Sequence, residues 1–144
     1  MIHNKSLFVD SSSWISLVVK TDSNFQKAAS VFSSFDNKTT LYISTLIVIE
    51  TITKIRKMLG QEKANSLFNQ FKHWEKSRSL IIFDISREII NQSIVLLQQH
   101  PTPNTFSLTD ATNIVLMKQY KIPVLFSFNK DFKKLKIPHI SFLP

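Results

Sequence analysis

The sequence contains no cysteine, which excludes disulfides, thiolate zinc sites, iron–sulfur clusters and a cysteine nucleophile together. A thiol-free chain fits a reducing cytoplasm, the expected location. Glycine occurs once, at Gly60. Neither the G-x-G-x-x-G turn of dinucleotide enzymes nor the G-x-x-x-x-G-K-[ST] loop of P-loop NTPases can be written with a single glycine. His3, His73, His100 and His139 are scattered, without H-x-H or H-E-x-x-H spacing, so no local zinc motif exists. No run approaches the roughly 18 apolar residues of a membrane span. The amino end carries only a short apolar patch broken by Asp10, unlike a signal peptide. A soluble, unexported protein is expected.

What is present suits one globular domain, residues 1–144, with 43% hydrophobic, 19% charged and 11% aromatic positions. The formal net charge is +8 and the excess is uneven. From Lys118 onward the lysines are 118, 121, 130, 133, 134 and 136, opposed only by Asp131. Clustered cations release counterions from a phosphate backbone, and a lysine-rich solvated face reads the same way.

Short β-type runs alternate with longer helical patterns. Ser6–Val9, Leu41–Ser44, Leu80–Ile85, Pro123–Phe128 and His139–Phe142 read as strands. Between them, apolar residues recur at helical spacing in five sets: Phe25, Ala28, Ala29, Phe32 and Phe35; Leu46, Ile49, Ile52 and Ile55; Ala64, Leu67, Phe68, Phe71 and Trp74; Ile90, Ile94 and Leu97; and Ala111, Ile114 and Val115. A β-α-β alternation predicts a mostly parallel sheet with helices on both faces, a three-layer α/β/α sandwich. Chemistry in such sheets collects beyond the carboxyl ends of the strands.

Several acids fall at that edge. Asp10 follows Leu7-Phe8-Val9 and precedes three serines, and it reads equally as an N-cap. Glu50 follows Ile47-Val48-Ile49 and has Lys54 one turn on, an ordinary i,i+4 pair. Asp110, in Ser107-Leu108-Thr109-Asp110-Ala111, approximates a capping box. Asn129 and Asp131 follow the apolar Val124-Leu125-Phe126 and could cap a short final helix. Each acid has a plain explanation, yet the fold gathers all of them along one edge. Acids sharing a pocket repel and titrate abnormally unless a cation neutralises them. Oxygen-only donors suit Mg²⁺ or Mn²⁺, and an acidic cup beside a basic surface suits phosphodiester chemistry.

Four segments, in order, resemble the PIN-domain nucleases and in particular the VapC-like toxins of toxin–antitoxin pairs: Leu7-Phe8-Val9-Asp10-Ser11-Ser12, Ile43-Ser44-Thr45 with Glu50, Ser107-Leu108-Thr109-Asp110-Ala111, and Phe126-Ser127-Phe128-Asn129-Lys130-Asp131-Phe132. The resemblance implies a Mg²⁺- or Mn²⁺-dependent endoribonuclease that leaves a 5′-phosphate and a 3′-hydroxyl, using a water acidified by the ion. It implies Asp10, Glu50 and Asp110 as metal ligands, with Ser12 and Ser127 as small polar supports. It also implies inhibition by a cognate antitoxin and a homodimer, for which the helix Leu46–Met58 or the helix Leu67–Trp74 would supply a face. The family commonly has T-x-D at the end of the fourth strand. Here the acid's place falls on Asn129, which offers a carbonyl but no charge, and Asp131 is the alternative. Lys130, Lys133 and Lys134 are candidate RNA contacts.

Other signals carry less. Ser11, Ser12 and Ser13 lack a G-x-S-x-G setting, and Asp10 is not followed by D-x-T. Phe68, Phe71 and Trp74 read as core. His100-Pro101-Thr102-Pro103-Asn104 reads as a loop. Two further functions stay open beside a ribonuclease toxin: a stand-alone PIN-like RNA-processing nuclease, and an inactive PIN-like module that binds RNA or protein.

Overall fold

A computed structural model describes residues 5–144; His3 lies outside them. Five strands, β1 (Ser6–Val9), β2 (Thr40–Ser44), β3 (Leu80–Phe83), β4 (Val124–Phe126) and β5 (Ser141–Leu143), form one sheet in the order β3-β2-β1-β4-β5. Every pairing is parallel. The helices are α1 (Ser11–Val18), α2 (Phe25–Ser33), α3 (Thr45–Leu59), α4 (Gln61–Lys76), α5 (Arg87–Gln99), α6 (Leu108–Tyr120) and α7 (Asp131–Lys134).

The strand order fixes the layers. The chain steps outward from β1 to β2 and from β2 to β3, so right-handed crossovers place α1–α4 on one face. From β3 it returns past β1 to β4, a reversal of direction, so α5 and α6 cover the other face. Accordingly α3 packs on α4 and α1, while α5 packs on α6. The expected sandwich is the one observed. Leu7, Phe8 and Val9 of β1 are at most 1% exposed, as a strand covered on both sides must be. Across the first helical layer, Trp14 meets Phe71 edge-on at 4.9 Å between ring centroids.

Strand β1 has the expected bounds and β2 starts one residue earlier, whereas β3, β4 and β5 are shorter than the sequence pattern suggests. β3 stops at Phe83, and β4 stops at Phe126 because Phe128 N–H leaves the sheet to bond Ser12 Oγ at 3.0 Å. His139, expected at the start of the last strand, has φ 64°, a left-handed value that no strand accepts. Two helix phases also differ. Helix α3 buries Ile47, Thr51 and Ile55 and leaves Ile49 62% exposed; α5 buries Ile89, Ser93 and Leu96 and exposes Ile90 and Ile94. Both helices carry more apolar residues than one stripe needs, so spacing alone offered two faces and packing chose between them. In α4, Phe71 is fully buried and Trp74 half-buried, whereas Phe68, expected in the core, lies 43% exposed beside Lys72. The only glycine, with φ 95°, makes the turn between α3 and α4.

This difference is measurable. Phe71→Ala should cost about 3–5 kcal/mol in urea unfolding, and Phe68→Ala within about 0.5 kcal/mol of zero. Equal losses would show that the phase of α4 is misassigned.

Candidate active site

The sheet reverses its winding between β1 and β4, and both of these strands deliver polar residues at their carboxyl ends. Asp10 follows β1 directly and is 3% exposed. It stands at the N-cap position of α1, yet its side chain makes no capping bond. Instead its Oδ2 accepts from Ser12 Oγ and Ser127 Oγ, each at 2.9 Å, and its Oδ1 accepts from Asn113 Nδ2 at 3.2 Å. The two serine oxygens also receive backbone N–H groups from the β4 exit, Phe128 on Ser12 and Asn129 on Ser127, each at 3.0 Å. Each hydroxyl therefore spends its one proton on Asp10 and its lone pair on the chain leaving β4.

Glu50 lies in α3, whose N-terminus is capped by Ser44 accepting from Ile47 N–H. Its Oε1 accepts from Ser11 Oγ at 2.8 Å and from Lys54 Nζ at 3.3 Å. The plain i,i+4 pair is therefore real, and a hydroxyl next to Asp10 shares the same oxygen. Asp110 completes a full capping box with Ser107. Its Oδ2 accepts from Ser107 N–H at 2.9 Å and from Asn129 Nδ2 at 3.3 Å. So Asn129 turns its amide donors toward Asp110, and its Oδ1 takes the N–H of Asp131 at 3.0 Å.

Asp131 is engaged elsewhere. Its carboxylate accepts from Thr105 Oγ1 and from Lys134 Nζ, tying the 100–107 loop to α7. Those two partners, Thr105 first, hold its carboxyl below the ordinary value. Lys130 and Lys133 are exposed, whereas Lys134 is the partner of Asp131.

Burial pushes the Asp10 carboxyl above its ordinary value; Ser127 and Ser12 pull it back, and the charge of Glu50 raises it further. Burial likewise raises Asp110 to about 6, against the Ser107 N–H, with Asp10 and Glu50 adding to the rise. Burial is the larger cause at both groups, and the charges of the neighbouring acids add to it. As the side chains stand, no three His, Asp or Glu among the described residues are gathered tightly enough to hold a metal ion. The donor chemistry nevertheless fits a hard divalent ion. All three acids offer oxygen only, and Glu50 Oε2 and Asp110 Oδ1 have no hydrogen-bond partner among the described residues.

The family model for the PIN domain matches residues 7–138. The chain belongs to the PIN-domain family. Family members are generally nucleases. Solved PIN-fold structures resemble it over nearly their whole length. VapC20 of Mycobacterium tuberculosis, described as a sarcin-ricin loop cleaving toxin, has a TM-score of 0.78 at 21% identity, covering 96% of this chain and 99% of that one. VapBC2 of Rickettsia felis, bound to a DNA fragment from its promoter, gives 0.67 at 16% identity, covering 95% and 96%. A toxin–antitoxin complex from Klebsiella pneumoniae gives 0.64 at 19%, also covering 95% and 96%. No curated protein sequence matches the chain.

Sequence reasoning overlooked two participants in this PIN site, Ser11 and Asn113, and also Thr105, which holds Asp131 away from it. Asn113 was visible as an amide inside the buried run 111–117 of α6, where every other inward position is apolar or a small hydroxyl. It is fully buried, and its Oδ1 has no hydrogen-bond partner. Ser11 and Thr105 carried no signal beyond their position near an acid.

The sign of the Asp110 shift yields a prediction for metal-free protein. Its folded value near 6 exceeds the ordinary unfolded value of about 4, so the folded state holds the extra proton between them. Stability from this group is fully present below about pH 4 and is lost as pH rises toward 6. With EDTA present, the melting temperature should fall by a few degrees across that window, and Asp110→Asn should make the fall shallower. An identical slope in the variant would refute the assignment.

Proposed function

We propose that this PIN protein is a divalent-metal-dependent endoribonuclease and the toxin of a toxin–antitoxin pair, acting in the cytoplasm. The observation that carries the reading is the buried Asp10 carboxylate at the β1/β4 switch point, held by two hydroxyls and an amide with Glu50 and Asp110 beside it. A charge buried at such expense is relieved by binding something of opposite sign.

Asp10, Glu50 and Asp110 would hold the ion, Mg²⁺ or Mn²⁺. When bound, it would supply acidity to an attacking water and stabilise charge growing on the phosphoryl oxygens. The chain's own residues do the rest. Ser12 and Ser127 fix the orientation of Asp10 and couple it to the loop after β4. Ser11 holds Glu50 toward the same edge, and Ser107 fixes Asp110. Asn129 supplies an uncharged amide where a fourth acid commonly stands in the family, which lowers the negative charge available to a second ion. Asp131, engaged by Thr105 and Lys134, supports the loop rather than the ion. Lys130 and Lys133, both exposed, would meet the RNA backbone.

An antitoxin that covers the acidic edge would switch the enzyme off, in keeping with the toxin–antitoxin complexes among the similar structures. The exposed Ile49, Met58 and Leu59 of α3, with Phe68 of α4, support pairing of two copies through this hairpin. Among the described residues no helix is long and apolar enough to cross a membrane. The amide that Asn129 turns on Asp110 also favours a second reading, a PIN module that binds RNA without cutting it.

Asp10→Asn keeps the size of the side chain and can still pair with both serines, so it should melt like the parent. Its cleavage of RNA in Mn²⁺ should fall at least a hundredfold, and EDTA should silence the parent equally. Full cutting in either case would end the metal-dependent reading; tight binding by the parent without turnover would favour the binding module.

A further inference from the structure

The opposite edge of the sheet carries a second pattern. One to three residues before each strand stands an exposed basic residue: Arg78 before β3, Lys38 before β2, Lys5 before β1, Lys121 before β4 and His139 before β5. In that strand order they run consecutively across the sheet. Adjacent strands lie about 4.8 Å apart, so the row spans roughly 19 Å. The register keeps it straight: Thr40 N–H bonds Lys5 O at 2.9 Å, and Leu41 N–H bonds Ser79 O, next to Arg78, at 2.9 Å.

In sequence, Asp36 stands two residues before Lys38 and Glu75 three before Arg78. Asp36 accepts from the backbone of Lys38 at 2.9 Å, and among the described residues none of the five basic side chains forms an ion pair. Helix C-termini account for part of the pattern, since Lys121 and Arg78 follow α6 and α4 and gain from the negative ends of their dipoles. They do not account for Lys5 or Lys38.

The backbone adds an independent observation. Arg78, Lys121 and His139 have φ of 63°, 55° and 64°, the left-handed region where glycine or asparagine is the relaxed choice. At Lys121 this turn lets Ile122 N–H reach Met117 O at 2.9 Å, and at Arg78 it lets Ser79 N–H reach Trp74 O at 2.9 Å. A glycine would close both turns without strain. Among the described residues four non-glycine residues have left-handed φ, and three of them stand in this row with exposed basic side chains, the fourth being Lys136 at φ 52°.

We propose that this amino edge is a second contact surface for RNA, gripping the phosphate backbone away from the acidic edge. The inference rests on RNA as the substrate class proposed above. Four of the five residues in the row are Lys or Arg, the residues that meet phosphates, and Lys is depleted from protein–protein interfaces, so an acidic protein is the poorer fit. Strands of three to five residues put the two edges on the order of 10–15 Å apart. A folded RNA reaches both, and a short oligonucleotide fits the acidic edge alone.

The test uses the full chain carrying Asp10→Asn, so that bound RNA survives, and measures its affinity for a long RNA hairpin across a salt series. Adding Lys5→Gln, Lys38→Gln and Lys121→Gln should lower the salt slope by about two to three and weaken binding at least tenfold, because each phosphate contact contributes about 0.7–0.9 to the slope. In the otherwise native chain the same triple change should leave kcat and KM on a short single-stranded oligonucleotide unchanged. A control triple of equal charge, Lys20→Gln, Lys27→Gln and Lys63→Gln, should shift the slope far less. Equal loss in the control, or no loss in the row variant, overturns the proposal. So does a row variant that keeps its RNA affinity but no longer binds polyglutamate. A native chain that cuts no RNA while the row-dependent slope persists would remove the nuclease reading and leave the second surface standing.

Discussion

The structure turns on a carboxylate placed where water barely reaches. Asp10 ends a strand that is buried on both faces, and its own exposure is 3%. An isolated charge there would cost several kcal/mol, and three donors offset part of that: two hydroxyls on one oxygen and an amide on the other. Hydrogen bonds to a charged group contribute about 1.5–3 kcal/mol each, yet the carboxyl still sits above its ordinary value. The compensation is incomplete from within the protein. In the metal-dependent reading proposed above, that residual deficit is what a bound cation would relieve.

The donors to Asp10 also organise their surroundings. Because Ser12 and Ser127 each accept a backbone N–H from the segment leaving β4, the position of Asn129 is linked to the orientation of Asp10. Asn129 in turn reaches Asp110. One chain of hydrogen bonds therefore connects the ends of β1 and β4 with the first turn of α6, and Ser11 extends it to Glu50 in α3. Each contact is local and modest, but their connection makes the relative placement of three distant sequence segments a single property of the fold. Low local dielectric strengthens such a network and makes any gap in it costly, so the unpaired Oδ1 of Asn113 stands out.

Much of this was legible in the sequence because the signals were local. A strand buried on both faces shows as Leu7-Phe8-Val9, an acid directly after it marks the carboxyl edge, and the alternation of elements fixes the parallel order. The capping box at Ser107 and Asp110 and the pair of Glu50 with Lys54 were readable from spacing and are present. The phases of α3 and α5 were not readable, because each helix offers more than one apolar stripe and the choice depends on neighbours far away in sequence. The same limit hid the partners of Asp131. Whether it or Asn129 faced the other acids depended on Thr105, a contact 26 residues distant.

The plain readings of Asp110 and Glu50 are present in the structure and leave room for the proposed functional one, and the parallel fold explains why. Right-handed crossovers start their helices near the carboxyl edge of the sheet and return the chain to its amino edge. An acid in the first turn of a helix is favoured by the positive end of the dipole, and Asp110 uses that position to cap α6 through Oδ2. Only one of its two oxygens is spent in doing so, and Glu50 likewise gives Oε1 to Ser11 and Lys54 while Oε2 stays unpaired. A capping or surface-paired carboxylate can therefore brace the scaffold with one oxygen and present the other to a ligand. The converse holds at the amino edge, where helix C-termini favour cations and the basic row from Arg78 to His139 exceeds what those dipoles account for. The topology sorts charge by edge before any ligand is considered, and function needs only the surplus that local stability leaves unexplained.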